Sequence, residues 1–390
     1  MPKPAARLAA VPPHLFAEID KRKAALIAQG VDVISLGIGD PDLPTPDFIL
    51  DAMARAIREP VHHRYPEHEG QPAFREAAAD YYGRRFGVHL DAKREILALI
   101  GAKEGLAHLI WAYIDKGDVA LVPDPAHPVY KTQVGLAGGT VYPLTLKHER
   151  HFLPNLDAIP TDVAHRAKLL FLNYPNNPTG AVADLGFYEE AVAFCRRHDI
   201  LLVSDNAYSE TTFDDYVAPS VLQVPGAKAV AVECWSLSKP FNMTGWRIGF
   251  AAGNAHAIRH LGVIKTNLDS GQFGAIQAAG IAALTSPEAP RFIAQMNEVY
   301  RHRRDMAANG LWSIGMQTES PHGTFYLWAP VPHGQTSAGF VTDLLNETGV
   351  VVTPGSSYGP AGEGYVRLAL CLDEHRLQEA LGRIQKYGRK

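Results

Sequence analysis

Lys239 closes Ser236-Leu237-Ser238-Lys239, a hydroxyl-rich turn directly after the apolar run 229–234. A lysine in that place is partly desolvated, which lowers its pKa and makes the neutral amine available as a nucleophile. Asp205 opens Asp205-Asn206-Ala207-Tyr208 after the apolar run 200–204. An acid there costs desolvation unless a cation or hydrogen-bond donors meet it. Gly101-Ala102-Lys103-Glu104-Gly105 follows the run 96–100 and opens a helix. Its small residues let backbone N–H groups approach an anion, and the helix dipole favours phosphate. Asn173-Tyr174-Pro175-Asn176-Asn177-Pro178-Thr179-Gly180 follows the run 168–172, and its prolines and glycine build a rigid turn presenting an asparagine amide. Singly, each has a plain alternative: a strand-to-helix turn, a tight loop, a helix N-cap for Asp205, a snorkelling surface lysine for Lys239.

These segments meet only if the runs preceding them are neighbouring strands. The runs 96–100, 119–122, 168–172, 200–204, 229–234 and 248–252 are predominantly apolar and alternate with amphipathic stretches such as 103–114 and 186–198. That pattern predicts an α/β fold with a mostly parallel sheet covered by helices on both faces. Parallel strands gather ligands at their carboxyl ends, where all four segments lie. Residues 1–47 read as an N-terminal arm and part of a smaller α+β domain, 48–288 as the large domain, and 289–390 as the rest of the small one. Strands at 323–328 and 365–370 belong to that small domain, and long helical stretches around 287–310 are expected to join the two.

Composition narrows the function. The 390 residues carry 37 basic and 41 acidic side chains, a net charge of −4, so no global positive field recruits nucleic acid or anionic lipid. No apolar run approaches the ~18 residues that span a bilayer, and the first residues lack a secretory core, so the expected address is the cytoplasm. Three scattered cysteines make a disulfide framework or a cysteine zinc site an unsuitable reading. A phosphate cradle, an amide donor, a carboxylate and an amine at one sheet edge are the inventory for holding pyridoxal phosphate.

With these motifs, and with residues 36–42, Tyr65-Pro66, Glu69-Gly70, Arg247, residues 267–271 and Tyr365-Val366-Arg367-Leu368, the chain resembles the fold-type-I pyridoxal-phosphate aminotransferases of class I/II. The resemblance runs from about Leu15 to Ile384. Within that family it looks most like the LL-diaminopimelate aminotransferases and their alanine/aspartate-aminotransferase-like relatives. It implies a large domain with a seven-stranded sheet and assigns roles. Lys239 bonds the coenzyme aldehyde and, once released, carries the proton between substrate Cα and C4′. Asp205 keeps the ring nitrogen protonated; a charge pair ~4 Å apart at an effective dielectric near 20 is worth about 4 kcal/mol. Asn177 and Tyr208 bond the 3′-oxygen. Ser236, Ser238, Arg247 and the Ala102–Lys103 backbone hold the phosphate, with Arg247 eight residues after Lys239. Arg367 binds the substrate α-carboxylate, supported by Gly39. Tyr65 reaches the phosphate of a neighbouring subunit, implying a homodimer with shared sites.

The activity so implied is transfer of an amino group between an L-amino acid and a 2-oxo acid. Glutamate and 2-oxoglutarate form one pair, and LL-diaminopimelate is the expected donor of the other. Aspartate or alanine aminotransfer of broad specificity, or a β-lyase on the same scaffold, are the alternatives. Two positions depart from the family pattern. His127, in Asp124-Pro125-Ala126-His127-Pro128, takes the place of the aromatic that stacks on the ring, and is expected to stay neutral there. Tyr130 then lies nearer Asp205. His68 stands where relatives carry tyrosine. Elsewhere, His62, His63, His148 and His151 read as surface histidines, Cys195 and Cys234 as core, and Arg301-His302-Arg303-Arg304 as the solvated face of a helix.

Overall fold

The computed structural model describes residues 1–11 and 17–388; Leu15, where the family resemblance begins, lies outside the described residues. Twelve strands are formed among them: β1 (Ile34–Ser35), β2 (Ile96–Leu99), β3 (Val119–Asp124), β4 (Thr140–Thr145), β5 (Ala167–Leu172), β6 (Leu201–Asn206), β7 (Ala231–Ser236), β8 (Gly249–Gly253), β9 (Tyr326–Pro330), β10 (Val350–Val351), β11 (Thr353–Pro354) and β12 (Tyr365–Ala369). Seven of these make one sheet in the order β2-β8-β7-β6-β5-β3-β4. The pairs from β7 through β4 are parallel, and β8 runs antiparallel to both its neighbours.

The apolar runs are explained by cover on both faces. In β5, Leu170 and Leu172 join the core under helices Pro72–Phe86, Leu185–His198 and Gly274–Thr285. Leu169 and Phe171 face the opposite core, under helices Ala102–Tyr113, Val129–Ala137 and Ala255–Leu268. Strand periodicity of two sends alternate side chains to each layer. Helix Leu185–His198 starts where the Asp184 side chain accepts from the Phe187 N–H, and helix Ala255–Leu268 where Asn254 accepts from His256 and Ala257.

A separate core joins both ends of the chain. β1 pairs in parallel with β10, and β11-β12-β9 form an antiparallel sheet. Ile34, Leu36, Phe325, Leu327, Val350, Val366 and Leu377 pack there with Met296, Tyr300 and Leu311 of helix Ala289–Trp312.

Several elements differ from the sequence expectation. β4 carries no apolar alternation because it is a largely solvated edge strand, where Pro143 costs no ladder bond on the open side. β6 and β7 run two residues further than the apolar runs, through the pairs Asp205↔Cys234, Asn206↔Trp235 and Ser236↔Gly249. Asp205 and Ser236 are therefore strand residues with fixed backbones, not turn residues.

Arg303 and Arg304 are buried, contrary to the solvated face expected for them. Both sit on the inner side of helix Ala289–Trp312, where Arg303 grips Asp42 through two nitrogens at 2.7 and 2.9 Å. Arg304 is met by Asp214, Asp305 and the Pro321 carbonyl. Burial of these cations is tolerable because each is paired. Only Arg301 and His302 of that run face solvent substantially. Cys195 and Cys234 are fully buried in the cores on either face of the sheet.

Candidate functional site

A cavity of about 810 Å³ lies at the carboxyl ends of β5, β6 and β7, against β12 and the segment after β1. It is lined by Gly39, Ala102, Lys103, His127, Asn177, Asp205, Tyr208, Ser236, Ser238, Lys239, Arg247 and Arg367, each singled out from the sequence. Tyr65 is not brought to it within one chain; its side chain is 96% exposed.

Lys239 sits three residues beyond β7. Its Nζ donates to the Gly39 carbonyl at 2.9 Å and faces no ion-pair partner among the described residues. Burial lowers its pKa to about 8. Gly39 has no room for a side chain, since a Cβ would come 1.9 Å from the Tyr326 hydroxyl oxygen.

Asp205 is held from both sides. Its Oδ2 accepts from the Tyr130 hydroxyl at 2.6 Å, and its backbone carbonyl accepts from Asn173 Nδ2 at 2.8 Å. Tyr130 is itself fixed by stacking on Phe171 at 5.0 Å. Burial raises the Asp205 pKa to about 6, against the lowering by the Tyr130 hydroxyl and the Ala207 N–H. The second carboxylate oxygen, Oδ1, is buried with no hydrogen-bond partner. A buried acceptor left open at a cavity wall awaits a donor, and the protonated nitrogen of a heterocycle is such a donor.

Arg367, on β12, is a buried guanidinium with no carboxylate in ion-pair range among the described residues. Nη1 donates to Asn177 Oδ1 at 2.8 Å and Nη2 to the Gly37 carbonyl at 2.7 Å, while Nε has no partner. Its Cζ lies 4.1 Å from the Tyr326 ring centroid and 5.0 Å from that of Tyr358. A buried, stacked and uncompensated cation is a site prepared for an anion. Asn177 is positioned by its own N–H, which donates to Asn173 Oδ1 at 2.8 Å. The Tyr208 and Tyr326 hydroxyls meet at 3.1 Å.

At the other side, helix Ala102–Tyr113 points its first N–H groups into the cavity from Gly101, whose φ of +78° favours glycine. Arg247 packs so closely there that a Cβ on Gly101 would lie 2.3 Å from its Nη2. Ser236 Oγ accepts from the Ser238 N–H at 3.1 Å. Helix N–H groups, a guanidinium and hydroxyls together fit a phosphate dianion. With the open Asp205 oxygen and the Lys239 amine, the residues present fit pyridoxal phosphate.

His127 precedes helix Val129–Ala137, and its Nδ1 accepts from the Val129 N–H at 3.2 Å, a bond open only to an unprotonated nitrogen. Burial first, then the Lys103, Arg367 and Lys239 cations, lower its pKa to about 3. In the protein loaded with pyridoxal phosphate the imidazole should therefore remain neutral from pH 8 down to pH 5. A ¹⁵N NMR titration of the ring checks this, and a protonation step above pH 6.5 would contradict it.

Sequence reasoning missed Tyr326 and Tyr358, whose rings lie against Arg367, and the Gly37 carbonyl that anchors it. Neither tyrosine follows a run of parallel strand, so nothing local marked them. The group Glu104, His108 and Asp269, whose ligand-type atoms lie within 4.8 Å of one another, was also unmarked. There Lys265 already supplies positive charge, 2.8 Å from Asp269 and 3.4 Å from Glu104.

The chain is similar to known proteins along nearly its whole length. The family model for aminotransferase class I and II matches residues 31–384. An LL-diaminopimelate aminotransferase of Moorella thermoacetica is 53% identical over 382 residues, covering 98% of this chain and 97% of that one. One from Nitratidesulfovibrio vulgaris is 54% identical over 385 residues, covering 98% and 99%. Among solved structures, substrate-bound BacF of Bacillus subtilis superposes with a TM-score of 0.95 at 37% identity, covering 100% of this chain and 98% of that one. A single mutant of Thermus thermophilus aspartate aminotransferase gives a TM-score of 0.93 at 31% identity, covering 99% and 100%. A family match across most of the length, joined to a lysine, an open carboxylate oxygen and an unpaired guanidinium in one cavity, makes this chain a member of the class I and II aminotransferases.

Proposed function

We propose that this transaminase uses pyridoxal 5′-phosphate to move an amino group between LL-diaminopimelate and 2-oxoglutarate. The observation that carries the reading is the convergence, in one cavity, of the Lys239 amine, the open Oδ1 of Asp205 and the unpaired Arg367. Two relatives above 50% identity bear the name LL-diaminopimelate aminotransferase.

When bound, the coenzyme supplies an aldehyde carbon that captures amines and a ring that withdraws electrons from the substrate Cα. The chain's residues do the rest. Asp205 holds the proton on the ring nitrogen, and Tyr130 and Asn173 hold Asp205. Asn177 and Tyr208 would hold the 3′-oxygen, and His127 would stand beside the ring. Ser236, Ser238, Arg247 and the Ala102 and Lys103 N–H groups bind the phosphate, with Tyr65 contributed by a second subunit. Arg367 would fix the α-carboxylate, and the Lys239 amine would serve as the base that takes the proton from the substrate Cα. The segment from Gly37 to Pro46, whose Gly39 carbonyl accepts from the lysine at 2.9 Å, would close over bound substrate.

We further read the protein as a cytoplasmic homodimer whose large domain spans 48–288. No helix among the described residues is long and apolar enough to cross a membrane, and exposed Tyr65, Val61 and Leu268 suit an interface.

The purified protein, supplied with coenzyme and 2-oxoglutarate, is expected to accumulate glutamate from LL-diaminopimelate at least ~10-fold faster than from aspartate or alanine. Equal rates with all three donors would replace the narrow assignment by a broad one. Ammonia release without glutamate would indicate a lyase.

A further inference from the structure

Tyr326 reaches the cavity from the first position of β9, and the proposed mechanism gives it no task. The side chain is buried, and its hydroxyl has one hydrogen-bond partner among the described residues, the Tyr208 hydroxyl at 3.1 Å. The two rings meet edge to face, with centroids 5.8 Å apart and planes 72° apart. Room for the Tyr326 hydroxyl exists because residue 39 is glycine, where a Cβ would come 1.9 Å from that oxygen. The Arg367 Cζ lies over the Tyr326 ring. That contact accounts for an aromatic ring at 326 and not for its hydroxyl, since phenylalanine would offer the cation the same face. The hydroxyl is therefore a separate feature, buried at a cost that its bond to Tyr208 offsets.

We infer that Tyr326 is a positioning residue acting through Tyr208: its hydroxyl donates to the Tyr208 oxygen and strengthens Tyr208 as a donor to the coenzyme 3′-oxygen. The inference rests on the proposed function, which sets Tyr208 against that oxygen. A phenol has one hydrogen to give and lone pairs to accept with. Once the Tyr208 hydrogen is given to the coenzyme, the contact between the two hydroxyls is satisfied only by Tyr326 donating. Two O–H groups aligned in one sense polarise each other, so the bond from Tyr208 gains strength. Both phenols keep their hydrogens at working pH. Burial raises Tyr326 to about 12 against the Arg367 cation, and raises Tyr208 well above the ordinary tyrosine value. The other titratable groups acting on the pair are Asp205 for Tyr208, and Cys371 and Tyr358 for Tyr326. A stronger donor draws negative charge from the 3′-oxygen and weakens its hold on the proton of the nitrogen joining Lys239 to the coenzyme. That proton then leaves at lower pH, and Tyr326 sets part of the difference.

The test is a pH titration of the holoenzyme's absorbance, with no substrate present, in the unaltered protein, Tyr326→Phe, Tyr208→Phe and the double variant. Tyr326→Phe is expected to raise the midpoint by about 0.3 to 1 on the pH scale, and Tyr208→Phe by more. The double variant should titrate with Tyr208→Phe, because Tyr326 has no route to the coenzyme once the Tyr208 hydroxyl is gone. The phenylalanine ring remains against Arg367, so KM for α-amino acids should stay within about twofold. A shifted Tyr208→Phe beside an unmoved Tyr326→Phe overturns the inference and leaves the proposed function standing. Shifts that add in the double variant, or a raised KM with an unmoved midpoint, overturn it likewise by assigning the hydroxyl to packing. If Tyr208→Phe is itself unmoved, the role given to Tyr208 in the proposed function falls together with the inference.

Discussion

Replacing Lys239 by alanine is expected to reduce amino transfer by at least about 10⁴-fold, since both the covalent capture of the coenzyme and the proton transfer at Cα are lost together. Arginine at the same place should be equally inactive, because a guanidinium keeps its proton at every working pH. The geometry also fixes a pH dependence. Burial holds the amine near a pKa of about 8, and its one acceptor is the neutral Gly39 carbonyl, which a neutral amine can still serve as donor. At pH 7 about one tenth of the amine is then uncharged, some 300-fold more than for an ordinary lysine. Capture of the aldehyde by the apoprotein should accelerate nearly tenfold per pH unit up to about pH 8 and level off above it. Stopped-flow absorbance between pH 6 and 10 checks the profile, and borohydride reduction with peptide mapping checks the residue. A rate still climbing at pH 10, or label on another lysine, would remove Lys239 from its role.

The legibility of this site followed the range of the contacts that build it. Lys239, Asp205 and the Gly101 turn were visible because each follows its own apolar run within a few residues. Chain-local pattern locates a parallel strand's end whatever the rest of the chain does. What the pattern could not supply was the length of those strands, because Asp205 and Ser236 are held in register by Cys234 and Gly249 and not by their own polarity. The edge strand β4 was invisible for the related reason that a largely solvated edge strand need not alternate. Arg303 shows the limit most clearly. Its partner Asp42 lies 261 residues away, and a charged run on a helix reads as solvated until that acid is known to face it. Tyr326 and Tyr358 were likewise ordinary residues until packing placed them against Arg367.

Arg367→Lys, which conserves charge, is expected to lower kcat/KM about 100- to 1,000-fold for every α-amino acid, roughly 3–4 kcal/mol. The reason is shape. The guanidinium is used through its contact with Tyr326, Cζ lying 4.1 Å from the ring centroid, and through two edges that are already committed to Asn177 and Gly37. An ammonium on a flexible stem has no plane to stack and cannot hold both acceptors while facing a carboxylate. Losing the Asn177 contact also frees that amide, so the damage reaches the group assigned to the 3′-oxygen. The cation at 367 has no acid of its own in ion-pair range; the substrate carboxylate is the partner that offsets its burial, and this is why the loss falls on binding common to all substrates. Simple amines without a carboxylate should react slowly with the unaltered protein and at nearly the same rate with the variant. Measuring both classes separates a lost carboxylate site from general damage. A variant that discriminates against the simple amines as strongly as the unaltered protein does would place carboxylate recognition elsewhere in the cavity.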